Sequence, residues 1–515
     1  MAAALMVATM LKTLLVAARD RNRLNEIIQV ASRFGLGVLL AKLGIESSDA
    51  AGGVGSAPQR LPHRTRLAFE ALGPTFVKLG QILATRGDLL PPEWIAQFER
   101  LHSQAPTLPF EDLRPAVEEA LGQPPESAFA SFDPEPIAAA SMAQVHRATL
   151  ADGRPVVLKI RRPGIRPRME ADLRLIAQLA ALAERASAET RRFEPAAMMR
   201  QLAEAILEEL DFTSEGRNAE RLRADFASEP RVVVPEIHWA WTSETLLVMD
   251  YVHGVPPRDA QTLRAAGIDP AAIADLGADV VLDMLLINGR FHGDPHPGNL
   301  LCLPGNRIAL LDLGMLGHVS PRRREEFIDF VQALSNGDPA RLADVLAVWS
   351  RGSGVPGDRI QSAAERLTAR YGGGRLVLSA MVADFLSLMR DEGMTMPPDL
   401  LLIFKALVTV DGVLSGIEPD FDLSRAMQRA SIRIAASRFS PDHWAPILQA
   451  LAWEAGKLSD DAPRLLRAAI RRLEDDPANN AMRQEQIAAL RSASRWITGA
   501  LLVGAAMVAG AILLS

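Results

Sequence analysis

The chain has 515 residues, 48% of them hydrophobic and 23% charged, with 36 glycines, 34 prolines and no repeat or low-complexity bias; that is the composition of a folded chain, not a disordered or fibrous one. Lys+Arg 56 against Asp+Glu 62 leaves a net charge of −6 without a basic block, which argues against nucleic acid as the main partner. The single cysteine, Cys302, excludes an intrachain disulfide and any cysteine-built zinc or iron–sulfur site, and fits a reducing compartment.

In chain order, residues 1–60 carry apolar positions such as Leu11, Leu14, Leu15, Ile27, Ile28, Val30, Phe34 and Val38 with basic residues between them, the pattern of amphipathic helices that lie on a bilayer surface or pack on the protein. The segment lacks a positive n-region, so it does not read as a cleaved signal peptide. A Gly/Pro-rich stretch at 51–62 leads into a helical segment, 61–130. Between 131 and 255 come β-like runs PVVLKI, RVVVPEI and TLLVMDYV, and RIALLDL follows near 310. Residues 256–490 read as mostly helical, so the class is α+β with helical extensions. Finally, 496–514 is 19 uncharged residues, about 28 Å as a helix and close to the ~30 Å hydrocarbon core. Arg491 and Arg495 before it, with Trp496 at the interface, put the large domain on the cytoplasmic side of a single-pass C-terminal anchor.

The residues suited to chemistry are spread along the middle. Lys78 and Gln81, at i and i+3, share a helix face. Ala138, Ala139, Ala140, Ser141, Met142, Ala143 and Val145 form an alanine-rich stretch ahead of Lys159, which ends PVVLKI. Glu209, Asp211 and Glu215 sit in an acidic run that reads either as a solvated helix face or as partners for a lysine. Asp294 precedes Asn299 by five positions in HGDPHPGN, and Asn299 precedes Asp312 of LDLG by 13. This spacing resembles the catalytic loop and metal-binding aspartate of protein-kinase-like folds, where phosphoryl transfer needs an aspartate near the acceptor and an Asn and an Asp on Mg²⁺. His292, Asp294 and His296 read better as parts of that loop than as a zinc cluster. In the same likeness Asp250 and Val252 stand at a hinge whose backbone would meet adenine. Ala138, Ala140 and Ala143 stand where a phosphate loop has glycines; alanine resists φ > 0, so a different path over the phosphates is expected.

Together the K-x-G-Q of Lys78–Gln81, the alanine-rich loop and the E-x-D of Glu209–Asp211 resemble the UbiB family of atypical kinase-like proteins, over about residues 60–335. The resemblance implies a bilobal protein-kinase-like fold with an N-terminal helical extension and a C-terminal transmembrane helix. It implies ATP and Mg²⁺ as cofactors, with Lys159 on the phosphates, Asn299 and Asp312 on Mg²⁺, and Asp294 at the catalytic-base position. It further implies a role in ubiquinone biosynthesis at a membrane (the inner membrane in a bacterium), with lipid, isoprenoid quinone precursors and quinone-biosynthesis proteins as partners. Lys78 and Gln81 take a gating role, and Glu215 is the expected partner of Lys159, which requires an inserted helix near 168–188. Gly293 in place of an arginine, and only six residues from Gly314 to Ser320–Pro321, depart from conventional protein kinases. Two other functions stay open: a small-molecule phosphotransferase of the aminoglycoside or choline kinase type, whose loop HGDPHPGN also resembles, and a nucleotide-binding scaffold without turnover.

Overall fold

The structure, a computed structural model, describes residues 20–36, 61–84, 90–101, 106–186, 195–293, 295–351, 354–372, 378–394, 397–421 and parts of 425–453. The expected anchor at 496–514, most of 1–60, and Asp294 lie outside the described residues. The chain divides into two compact units, Met1–Ile434 and Ala435–Ser515, and the first holds the site.

Its N-terminal half is built on four antiparallel strands in the order β1 (Ser131–Ala139), β2 (Ala143–Thr149), β3 (Pro155–Arg161) and β5 (Leu246–Asp250). In β3, Val156, Leu158 and Ile160 alternate with Val157 and Lys159, so the strand has two distinct faces. The first face is buried under α5 (Phe110–Leu121), which contributes Phe110, Leu113 and Val117 to the same cluster. Fully burying side chains of this size stabilises by about 1.5–3 kcal/mol each, and it leaves Lys159 on the opposite face, level with its cross-strand neighbours Val145 and Leu247.

Strand β1 was not legible as a strand. Its sequence SFDPEPIAA has two prolines and two acids, and it survives because it is an edge strand, largely exposed, with register shifts on either side of Pro136. Conversely, of RVVVPEI only β4 (Val232–Val233) forms a strand, in parallel with β8 (Arg307–Leu310), while Ile237 makes an isolated antiparallel bridge to Met249.

A second layer of helices joins this lobe: α1 (Arg21–Arg33), α2 (Leu61–Leu72), α3 (Pro74–Ala84) and α4 (Pro92–Phe98) from the N-terminal segment, and two inserted helices, α7 (Ile165–Ala186) and α8 (Pro195–Glu209). The expected single insertion is thus a pair. Met199, Leu202, Ile206 and Leu210 form one stripe that meets Ile165, Met169 and Leu173 of α7 and Phe76 and Leu79 of α3 in a shared core. Helix α1 packs its Ile27 into that core, so for residues 21–33 the protein, not a bilayer, covers the apolar face. Helix α9 (Phe212–Asp225) follows α8 directly.

The C-terminal lobe is helical apart from the small sheets β7 (Leu300–Leu303) with β8, and β6 (Arg290–His292) with β9 (Leu316–His318). Phe330, Trp349, Phe385 and Phe404 stack at its centre with centroids 5.0–6.3 Å apart. Among the described residues one helix segment, Asp399–Ile417, is long and apolar enough to cross a membrane, and about half of it (53%) is buried in the protein. It packs on α11 (Pro270–Asp283) with Leu400, Ile403, Phe404, Leu407 and Leu414 in the core, so its apolarity is that of a core helix.

Candidate functional site

The site forms where β3, α9 and the loop after β8 converge. The sequence ELDFTSE starts α9 by a local device: Asp211 accepts from the Thr213 backbone N–H at 2.9 Å and from its hydroxyl at 2.7 Å, capping the helix. One turn later Glu215 points inward, 5% exposed. The Lys159 ammonium donates to both Glu215 oxygens at 2.9 and 2.8 Å and to Asp312 Oδ1 at 2.9 Å. The Phe212 ring lies 5.5 Å from Lys159 Nζ. Asn218, a turn beyond Glu215, donates to the Leu313 carbonyl at 3.1 Å and ties α9 to the L-D-L-G segment.

Asp312 itself has φ +50°, a left-handed conformation that Asp tolerates better than most residues and that costs on the order of 1 kcal/mol or more. The residues either side are fixed: Leu313 by Asn218, and Leu311 by its N–H, which donates to the Asn299 carbonyl at 2.8 Å, and by its carbonyl, which pairs with the His292 ring at 3.0 Å. The fold therefore holds the Asp312 carboxyl in place beside Asn299's segment.

Three charges in one place perturb one another. The Lys159 ammonium holds Asp312 well below the usual carboxylate range. Burial by itself would lower the Lys159 pKa, but the Asp312 and Glu215 carboxylates outweigh it and keep the ammonium charged. Burial raises Glu215, with the Asp312 charge adding to it and Lys159 opposing, up to about 7.

The other sequence candidates fall around this centre. Lys78 of α3 reaches Glu209 at 2.7 Å. A Cβ placed on Gly314 would lie 3.5 Å from Asp312 Oδ1, 3.7 Å from Glu215 Oε2 and 3.8 Å from Glu209 Cγ, so the Lys78–Glu209 pair borders the same spot. Gln81 instead donates to the Leu101 carbonyl at 3.1 Å; the shared helix face of Lys78 and Gln81 does not bring both to the centre. Gly80 between them lies so close to Leu101 and Phe69 that a Cβ would approach to 2.2 and 3.0 Å, which explains a glycine inside this helix. At the hinge, Asp250 Oδ1 pairs with the His238 ring at 2.9 Å and its N–H donates to the Glu236 carbonyl; among the described residues none accepts from the Val252 N–H. His296 accepts from the Gly298 N–H at 2.9 Å, a loop-shaping contact. Among the described residues no group of three or more His, Cys, Asp or Glu side chains is gathered to hold a metal ion.

The alanine-rich segment makes a tight turn in which Ala140 N–H donates to the Ala143 carbonyl at 2.8 Å. No residue from Ala138 to Val145 has positive φ, so this path does without the freedom glycine gives. Arg162 pins it, its backbone N–H on the Met142 carbonyl and its Nε on the Ala140 carbonyl, both at 2.9 Å. Ala138 and Val145 pair across the turn. Because this conformation is already open to alanine, Ala140→Gly is expected to loosen the turn through the entropy of the flexible state and to cost about 0.5–1 kcal/mol. Thermal unfolding and nucleotide preference of that variant check the effect; an unchanged preference would show that the alanine does not shape the site.

Two supporting residues escaped the sequence reading, one of them on the face of the sheet opposite Lys159. Gln144, fully buried, bonds both the N–H and the carbonyl of Leu108, at 2.9 and 3.0 Å, and Arg162 holds the turn as described. Neither stands in a recognisable spacing. Gly293 is explained by contact: a Cβ there would lie 2.7 Å from Met315 Cγ, while its N–H donates to the Met315 carbonyl at 2.9 Å.

A strand lysine held by a buried helix glutamate, a left-handed aspartate at its tip and a hinge leading to a helical lobe make this a protein-kinase-like fold. Residues 100–346 match the ABC1 atypical kinase-like domain and residues 374–422 the UbiB helical domain. A "Probable protein kinase UbiB" of Marinobacter nauticus is 32% identical over 463 residues, covering 86% of this chain and 84% of that protein. One of Xanthomonas campestris pv. campestris is 34% identical, covering 80% and 77%. The Rv3197–erythromycin complex from Mycobacterium tuberculosis, at 21% identity, superposes with a TM-score of 0.46, covering 65% of this chain and 86% of that one. The chain belongs to the UbiB family of ABC1-type atypical kinase-like proteins.

Proposed function

We propose that the protein binds Mg·ATP between its lobes and uses it, as an atypical kinase or ATPase, in ubiquinone biosynthesis at the cytoplasmic face of a membrane, acting on or near lipid-like quinone precursors. The observation that carries the reading is the Lys159–Glu215–Asp312 cluster: a lysine kept charged and aimed by a buried glutamate, touching a carboxylate kept ionised. Lys159 would move from Asp312 onto the α- and β-phosphates. The donor set suits Mg²⁺, since Asp312 and Asn299 offer hard oxygen ligands, and the Asp312 side chain, 52% exposed, is open to a ligand. Bound there, Mg²⁺ would neutralise phosphate charge during transfer. Asp294 takes the catalytic-base position. The backbone at Asp250 and Val252 would receive adenine, and the turn at Ala138–Ala143 would cover the phosphates.

A small or lipid-embedded acceptor fits better than a protein. Between Gly314 and the helix capped by Ser320, α12 (Pro321–Ser335), the chain forms only β9, paired with β6. That leaves no long activation segment on which a peptide could dock, and Met315 fills the space an arginine at 293 would need. The test is ADP release from Mg·ATP by the purified protein, with and without liposomes carrying a polyprenylphenol. Turnover raised by the lipid supports the reading. Tight nucleotide binding without turnover would favour a scaffold, and rapid phosphorylation of a soluble aminoglycoside or choline would favour a small-molecule kinase.

A further inference from the structure

A buried polar cluster lies at the start of the helix that carries Lys78, one turn before it, and outside every motif named above. Arg23 of α1, Thr75 of α3 and Asp172 of α7 are 8%, 0% and 1% exposed. Arg23 donates from Nε to Asp172 Oδ1 at 2.5 Å and from Nη2 to Asp172 Oδ2 at 3.0 Å. The same Nη2 donates to the Leu72 carbonyl at 2.6 Å, and the Thr75 hydroxyl donates to Asp172 Oδ2 at 2.7 Å.

Leu72 is the last residue of α2, and Thr75 lies in the first turn of α3. Between them Gly73, at φ +100°, is a joint that only glycine enters freely. One guanidinium and one carboxylate thus grip both sides of the joint from which α3 starts. A buried ion pair adds little stability over apolar residues of the same volume, so what it supplies here is geometry. Lys78 stands one turn beyond Thr75, and the rotation of α3 decides where its ammonium goes. In this structure that ammonium is on Glu209, at the border of the Asp312 and Glu215 carboxylates. A divalent cation arriving at Asp312 meets this positive charge and is opposed by it.

We propose that Arg23, Thr75 and Asp172 are positioning residues that hold the Lys78 ammonium beside Asp312 and thereby set the Mg²⁺ concentration at which nucleotide binds. The inference rests on the Mg·nucleotide reading above and assigns its regulation to residues outside the motifs. Loosening the joint withdraws a cation from the site, so Mg²⁺ should bind more readily.

The experiment titrates Mg²⁺ against ADP binding to the full-length protein by calorimetry. Thr75→Val removes one hydroxyl and keeps the shape. The paired change Arg23→Met with Asp172→Leu removes both buried charges together, which avoids leaving either alone. Each is expected to lower the Mg²⁺ midpoint by about fivefold or more, the lower end of couplings between distinct sites. Lys78→Met should give the same shift alone, and adding Thr75→Val to it should give no further shift, the signature of residues acting through one another. A general loss of packing would weaken binding instead. Folded variants with an unchanged midpoint, or a full additional shift in the Lys78→Met background, would overturn the inference while leaving the proposed function standing. Failure of the unaltered protein to bind Mg·ADP would overturn the proposed function and this inference with it.

Discussion

Asp312→Asn is expected to abolish Mg·ATP turnover while leaving the fold intact. The side chain is half open to solvent and its φ of +50° is one asparagine also accepts, so the variant should fold, with thermal unfolding at neutral pH lowered by the loss of the ion pair to Lys159. What changes is charge. The variant keeps an oxygen ligand but loses the anion that both Lys159 and a divalent cation require. Since metal stabilisation of a transferring phosphoryl group is worth several kcal/mol, and each 1.36 kcal/mol is tenfold in rate, the drop should be at least about 10³-fold. ADP release measured beside the unaltered protein checks it. If the variant lost turnover yet still supported quinone formation in cells, the protein's contribution would be that of a scaffold.

Glu215→Gln should change how stability depends on pH between about 4.5 and 7. Burial raises the folded-state pKa of Glu215 from 4.5 to about 7, so the folded protein holds that proton more tightly than the unfolded chain. The stabilisation from this group is complete below about pH 4.5 and is lost as pH rises through about 7, by at most about 3 kcal/mol. In Glu215→Gln that loss vanishes. Denaturant unfolding at pH 5 and at pH 7.5 should show a smaller difference for the variant by about 2 kcal/mol. Equal slopes in the two proteins would mean that Glu215 is ionised across the whole range. Turnover should fall as well, because glutamine offers Lys159 no charge.

What could be read in the sequence was what local rules decide. The strand PVVLKI announces itself by β-branched residues in alternation, α12 by Ser320 followed by Pro321, and the spacing from Asn299 to Asp312 by the length of one hairpin. Glu215 is reached as the partner of Lys159 only through the family resemblance, since 56 residues separate the two and no local pattern joins them. Strand β1 was hidden, since an exposed edge strand need not look apolar. The second inserted helix was missed because 195–209 has an ordinary amphipathic pattern with nothing to tie it to the first. Arg23, Thr75 and Asp172 stand 149 residues apart at the extremes, and Gln144 and Leu108 36 apart; no pattern within one element can reveal a pairing made by the tertiary fold.

The bond between Gln144 and Leu108 bears on where this lobe begins. Its amide closes on the Leu108 backbone as a neighbouring strand would, and Phe110, two residues on, lies in the core beneath the sheet. A fragment trimmed to start at β1 would lose both of those hydrogen bonds together with the helix that covers this face, and would uncover Val156, Leu158 and Ile160 to water. The smallest piece of the chain that can be inherited, transplanted or expressed as a working lobe therefore starts before residue 108, and the matched kinase-like domain, which opens at residue 100, carries this stretch as its own first layer.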